Sequence, residues 1–297
     1  MESDRAGSSR KRIDTRTVVM LLVVLGLWGS AFAAIRVGLE AYAPGDLALL
    51  RFLVASAVLA VYALCIRLPL PQVRDVPAIW LLGSLGIAVY NVSLAYGQLS
   101  VSAGAASLLI GVGPVFTALL AMVFLRERLK VRGWLGIVLS FIGVALVARG
   151  EGGGVRFEPG ALLVVLSALS FSLYSVLQKP YLSKYGAMGF IAYAIWGGTL
   201  SMLVFLPGLA QTVRQASLGA TLAVVYLGVL PGALGLVIWT YALSLAPAST
   251  VASFLYLVPV SAIFIAWVWL GEIPLALSLV GGVLSLVGVV LVNTQGR

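Results

Sequence analysis

Histidine is absent from the 297 residues, and cysteine occurs once, as Cys65 inside an apolar run. The first absence removes a His-ligated metal, a Ser-His-Asp triad and a histidine proton relay. The second removes an intramolecular disulfide and a cysteine metal centre. Charge is scarce as well: Asp, Glu, Lys and Arg make up 10% of the chain, against about a quarter in soluble domains. What remains is apolar, with 61% hydrophobic residues and a mean hydropathy of +1.10. A soluble globule of this length cannot hide so much apolar surface. A helix needs about 20 apolar residues to cross a bilayer, so the chain reads as an all-α integral membrane protein of ten spans.

Apolar runs bounded by charge, Gly or Pro place the spans near 17–38, 44–66, 76–99, 101–124, 131–148, 159–182, 186–206, 218–243, 249–270 and 275–293. Very short links, such as Leu99 to Ser102 and Leu245 to Ser249, make consecutive helices antiparallel neighbours. Residues 1–16 form a basic, disordered cytoplasmic tail, 149–158 a linker and 294–297 a C-terminal tail. The basic start followed by Ala31-Phe32-Ala33 mimics a secretory signal, but the apolar run continues to Leu39, which favours a retained helix.

The net charge of +9 points to an anionic lipid leaflet rather than nucleic acid, because the basic residues sit between apolar spans. With the N-terminus inside, the inner segments hold Arg5, Arg10, Lys11, Arg12, Arg16, Arg67, Arg74, Arg126, Arg128, Lys130, Arg132, Lys179, Lys184 and Arg297. The outer side holds Arg36, Arg51, Arg149, Arg156 and Arg214. Both termini are therefore expected in the cytoplasm of a bacterial inner membrane.

The two halves match without gaps at an offset of 145: Pro114 with Pro259, Glu127 with Glu272, Gly136 with Gly281, Ser140 with Ser285, Gly143 with Gly288 and Tyr96 with Tyr241. Pro, Glu and spaced Gly are scarce enough for this register to mean duplication. Each repeat, 17–148 and 159–293, has five helices, an odd number, so equivalent helices cross in opposite directions. Inverted repeats of this kind build secondary transporters, with the substrate site near midplane between the halves.

These residues resemble a known family. Gly113-Pro114-Val115-Phe116-Thr117-Ala118-Leu119-Leu120 through Leu125-Arg126-Glu127-Arg128 is similar to the fourth-helix signature of the drug/metabolite transporter superfamily, EamA-like branch. Leu50-Arg51-Phe52 resembles that branch's second-helix motif, and Leu27-Trp28-Gly29-Ser30-Ala31-Phe32 its first. The second copy departs at Gly271-Glu272-Ile273, keeping the acid without its basic flanks. The resemblance implies two five-helix bundles around a central cavity and export of small metabolites, often amino acids.

Pro114 and Pro259 fall within the fourth and ninth spans and Pro231-Gly232 within the eighth. Proline removes a helix hydrogen bond and bends the helix, so these four residues are hinge candidates, against the plainer reading of static kinks. Gly136, Ser140 and Gly143, repeated as Gly281, Ser285 and Gly288, line one helix face for close packing, as scaffold or dimer contact. The substrate-site candidates are polar and aromatic residues deep in spans: Trp28, Ser30, Tyr90, Asn91, Ser93 and Ser107, then Tyr174, Gln178, Trp239, Ser253 and Tyr256. Ser172, Ser175 and Tyr241 belong to the wider set. For any one serine, a bond to its own helix backbone is the plainer account. Asn91 stands out, because an amide in hydrocarbon is costly unless partnered; with Tyr90 it is expected to face helices 6, 8 and 9. Arg51, about 10 Å into the second span at 1.5 Å per residue, either snorkels outward, binds a substrate carboxylate or caps a neighbouring helix end.

Gly152-Gly153-Gly154 lacks a following Lys-Ser or Lys-Thr, and Gly111-Val112-Gly113 runs into a proline, so neither is a phosphate-binding loop. No cofactor is expected. None of the ten carboxylates lies near a helix midpoint, and the first-helix glutamate of the small multidrug relatives is missing. Proton-coupled extrusion of lipophilic cations is thereby disfavoured, and phosphate-ester carriage would want clustered Lys or Arg in both halves. An exporter of neutral or zwitterionic metabolites remains, with amino acids bearing aromatic or bulky apolar side chains leading and nucleosides or other neutral metabolites as runner-up. An intramembrane enzyme on a lipid-like substrate would need an acid, base or metal cluster that the sequence does not display. The expected assembly is a monomer or weak homodimer whose partners are its substrate and the lipid bilayer.

Overall fold

The computed structural model describes residues 15–125, 130–151, 157–245 and 254–295. Among the described residues every regular element is helical. Spans 1 to 3 are Thr15–Leu39, Pro44–Cys65 and Val73–Gly97. Span 4 is split into Ala103–Ile110 and Gly113–Leu125, and spans 5 to 7 are Val131–Glu151, Pro159–Leu177 and Lys179–Ser201. Span 8 runs from Leu218–Leu227 through Gly228–Leu234 to Gly235–Leu245, span 9 is Phe254–Leu270 and span 10 Ala276–Gln295. Eight are long and apolar enough to cross a membrane, and spans 9 and 10 hold shorter apolar helices. The end of the bundle at Thr15 is called near, and the end at Leu39 and Pro44 far.

Helix starts are local chemistry. Ser102 and Ser217 accept the amides of Ala105 and Ala220, and Glu158 accepts that of Gly160, satisfying N–H groups the first turn leaves open. Pro44 and Pro159 sit in first turns, where no amide hydrogen is needed. A short helix, Leu209–Gln215, fills the link between spans 7 and 8. The front of span 7 is set off by Gly186, whose φ of 69° only glycine adopts without strain.

Spans 5 and 10 place the symmetry axis. A Cβ added at Gly136 would stand 2.6 Å from the Gly288 carbonyl oxygen, and one at Gly143 2.4 Å from that of Gly281. Ser140 Oγ donates to the Ser285 carbonyl at 3.0 Å. The pairings 136 with 288 and 143 with 281 run in opposite directions, so these equivalent helices are antiparallel and the repeats are inverted. The small-residue face is thus used for packing inside the chain, the scaffold role the sequence suggests. Elsewhere the halves interlock: span 1 packs on spans 8 and 9 as span 6 packs on spans 3 and 4.

Two backbone irregularities repeat at the same offset. Span 3 is π-helical over Ser84–Val89 and span 8 over Gly228–Leu234. The sequence flagged the second through Pro231, whereas the first contains no proline. Pro114 and Pro259 were expected to kink continuous spans. Instead each stands in the first turn of a helical segment, Gly113–Leu125 and Val258–Leu270, after a break at Gly111–Val112 and a 3-10 turn at Phe254–Leu257. That is where a residue without N–H fits without losing a bond.

Candidate functional site

Burial changes sharply along the bundle. In span 1, Gly29 to Ile35 are buried without interruption, so the helix is enclosed on every side, whereas Leu22 and Val23 are exposed and Gly26 to Trp28 half-buried. In span 4, Ala103 to Leu109 are buried and Ile110, Gly111, Gly113 and Pro114 are half-buried. In these two spans enclosure is complete in the far half and partial toward the near half, where Leu21, Val24 and Leu25 remain buried. The helix breaks and π-helical segments lie where this change occurs.

Polar contacts lock the far end. The Glu272 carboxylate accepts from Arg36 Nε at 3.0 Å and from the Ala103 amide at 3.1 Å, joining span 1, the first turn of span 4 and the loop after span 9. Arg36 Nη1 donates to the Gln98 carbonyl at 2.7 Å, and Gln98 Nε2 donates to the Phe32 carbonyl at 3.0 Å. Glu151 accepts from the Ser102 amide and from Ser278 Oγ, and Tyr42 shares a hydrogen bond with Thr221. At the near end, Lys184 pairs with Asp75 at 2.5 Å and donates to Gln72 Oε1, and Tyr185 donates to Asp75.

The sequence candidates separate into groups. Trp28 and Trp239 pair with ring centroids 5.1 Å apart, and Trp28 Nε1 donates to the Pro231 carbonyl at 3.2 Å. A Cβ at Gly235 would come within 2.9 Å of that nitrogen, so the glycine is what admits the indole. Ser30 Oγ and Tyr226 OH share a hydrogen bond of 2.5 Å. Across the bundle, Phe171 lies 5.2 Å from Tyr90 and 5.9 Å from Tyr174, and Tyr174 stacks on Phe190 at 6.0 Å. Tyr174 also rests on Gly86 of the span 3 π segment, where a Cβ would meet its ring at 2.3 Å. The two halves therefore each seat an aromatic ring on a glycine in or beside a π segment. Phe171, Phe190 and Tyr226 were not singled out from the sequence, since aromatics in apolar runs carry no mark of depth or direction.

Asn91 departs from expectation. Its Oδ1 accepts from Arg51 Nη1 at 3.0 Å and its Nδ2 donates to the Ile87 carbonyl at 2.8 Å, so the amide faces span 2 rather than spans 6, 8 and 9. The physical reason is Arg51, which does not snorkel but is 8% exposed, lies over the Phe52 ring at 5.1 Å and presents the strongest donor within reach. Tyr90 does turn toward span 6, its ring lying 5.2 Å from that of Phe171, and its backbone carbonyl accepts from Ser167 at 2.9 Å.

The remaining candidates are dispersed. Ser107 donates to Gly104 and Ser175 to Phe171, each within its own helix, and Ser93 is buried in span 3. Ser172 reaches across to the Gly113 carbonyl at 2.8 Å, occupying an acceptor at the span 4 break. Gln178 joins spans 6 and 7 at the near end, one turn after Tyr174, whose carbonyl accepts its amide. Tyr256 is half-buried against the cluster of Val112, Val115 and Phe116, while Tyr96 and Tyr241 are both exposed. Ser253 and Glu127 lie outside the described residues.

Comparison with known proteins agrees with this architecture. The chain is 45% identical over 267 residues to the uncharacterized transporter YdfC of Bacillus subtilis, covering 90% of this chain and 87% of that one. It is 43% identical over 286 residues to a probable terminal-alkyne amino-acid exporter of Streptantibioticus cattleyicolor, covering 95% and 96%. The uncharacterized inner membrane transporter YedA of Escherichia coli K12 is 27% identical over 269 residues, covering 86% and 87%. One solved crystal structure superposes with a TM-score of 0.62 at 19% identity, over 94% of this chain and 96% of that one, which shows a shared fold. The EamA-like transporter family matches residues 15–149 and again 158–294; with ten helical spans in two inverted halves, this multi-pass membrane protein belongs to that family.

Proposed function

We propose that the protein exports amino acids with aromatic or bulky apolar side chains across the bacterial inner membrane by alternating access. The observation that carries this reading is the two aromatic groups, Trp28 with Trp239 and Tyr90 with Phe171 and Tyr174, each seated on a glycine in or beside a π segment. Rings grip an apolar side chain through contact area, and nearby hydroxyl and amide groups bind the polar end. The excess of Lys and Arg on the near side supports a cytoplasmic near end, with substrate entering there while the far end is latched. The paired π segments of spans 3 and 8 and the breaks of spans 4 and 9 are the places where the halves bend. The exporter of Streptantibioticus cattleyicolor, at 43% identity, supports an amino-acid cargo. Its relatives' names as transporters likewise favour carriage over catalysis.

The test is flux in proteoliposomes across a panel of amino acids, nucleosides and sugars. Movement of phenylalanine, tryptophan or leucine, with mutual competition, is expected. Nucleoside flux that amino acids do not inhibit would overturn the choice of cargo.

A further inference from the structure

We propose that the Arg51 guanidinium is the receptor for the substrate's carboxylate; this deepens the export reading above and rests on it. Arg51 lies inside span 2, more than nine-tenths buried. A charge removed from both water and lipid headgroups needs a counter-charge or a full set of acceptors. Among the described residues Arg51 has no acidic partner. Its Nη1 is taken by Asn91 Oδ1, while its Nε is buried with no hydrogen-bond partner.

Which edge of the group is committed decides what it can bind. Nη1 points back toward Cδ, and Nε–H and the Nη2 hydrogens make the opposite, two-donor edge. That edge matches the two oxygens of a carboxylate in a planar fork. Asn91 holds the guanidinium in this pose and is itself fixed, because its Nδ2 is spent on the Ile87 carbonyl in the π segment. Phe52 supports the cation from beneath. Asn91 is thus a positioning residue, and Tyr90, next to it on span 3, begins the aromatic group that would take the apolar side chain.

The other repeat limits the anion to one carboxylate. The position 145 residues on from Arg51 is Trp196, whose Nε1 donates to the Ser56 carbonyl at 3.2 Å. A neutral indole therefore stands where symmetry would put a second cation. A monocarboxylate has its charge matched by this site; a phosphate ester or dicarboxylate does not.

The experiment uses full-length protein in nanodiscs and three probes sharing one ring: phenylalanine, phenethylamine without the carboxylate, and 3-phenylpropionate without the amine. Binding is read by calorimetry for wild type, Arg51→Gln, Arg51→Lys and Asn91→Ala, with size-exclusion profiles and thermal unfolding as checks of folding. Wild type should bind phenylalanine at least about tenfold more tightly than phenethylamine, the scale of one charge-assisted pair. Arg51→Gln should abolish that preference without weakening phenethylamine, and Arg51→Lys should restore part of it. Asn91→Ala should reduce it by about fivefold, through loss of one orienting hydrogen bond. Folded Arg51→Gln that keeps the wild-type preference overturns the proposal. If that variant does not fold, equal wild-type binding of phenylalanine and phenethylamine overturns it, as does failure of both carboxylate probes to bind. Binding and transport of 3-phenylpropionate in place of phenylalanine would leave the Arg51 receptor standing and overturn the amino-acid cargo instead.

Discussion

Neutralising Glu272 should open the far end of the bundle. Its carboxylate makes two contacts across elements: Oε1 with Arg36 Nε at 3.0 Å and Oε2 with the amide of Ala103 at the start of span 4. The Arg36 and Glu272 side chains are 33% and 23% exposed, so solvent screens the pair and it contributes about 0.5–1 kcal/mol. An anion on open amides at a helix start adds about 1 kcal/mol. Glu272→Ala loses both, about 2 kcal/mol, or roughly a thirtyfold rise in the open population. Glu272→Gln keeps the shape and one acceptor, and should cost about 1 kcal/mol, or roughly fivefold. The readout is the labelling rate of Ser107→Cys, buried in span 4 behind the latch, in a Cys65→Ser background. An impermeant maleimide is applied from the side that the far end faces. Rates should rise about thirtyfold for Ala and fivefold for Gln, and the exchange Arg36→Glu with Glu272→Arg should bring them back down. An unchanged rate in folded Glu272→Ala would show that apolar packing alone closes this end.

Three further outcomes follow from the same structure. Gly143→Ala places a methyl 2.4 Å from the Gly281 carbonyl and should destabilise the protein by about 1–3 kcal/mol, seen as a lower thermal midpoint in detergent. Gly281→Ala should match it, because the axis makes the two sites equivalent. Trp239→Ala removes one half of the Trp28 pair and should shift preference among apolar side chains rather than abolish flux; identical selectivity in the folded variant would place the side-chain pocket elsewhere. Counterflow should persist when an ionophore collapses the pH gradient, since the chain has no histidine and its carboxylates sit at span ends and links; a strict need for proton influx refutes this.

Hydropathy alone made the spans legible, and the 145-residue offset made the repeat legible, because both depend on properties each residue carries by itself. What stayed hidden depends on partners distant in sequence. Nothing near Ser84–Val89 marks a π segment, since the feature accompanies Gly86 seating the ring of Tyr174, 88 positions later. Asn91 was recognised as costly, but its partner lies 40 residues away on span 2, so its direction was misjudged. Pro231 lies inside its helix as expected, whereas Pro114 and Pro259 stand at helix starts, because a break ahead of them leaves little trace in an apolar run. Glu272 was read as an external link, whereas its grip on Arg36, 236 residues earlier, needs the assembled bundle.

The axis through spans 5 and 10 also bears on ancestry. Because Gly136 meets Gly288 while Gly143 meets Gly281, the contact is isologous: each helix offers the other the same surface turned end over end. A half-length chain with this face would be able to pair with its own copy only if that copy were inserted upside down. Such a pair would need two opposite insertions of one sequence, with any charge near its loops pulling both copies toward the same orientation. Joining the halves through the link after span 5 removes that conflict and lets each copy drift. The drift is visible at the axis itself, where Ser140 Oγ donates across to Ser285 while the buried Ser285 Oγ has no partner in return.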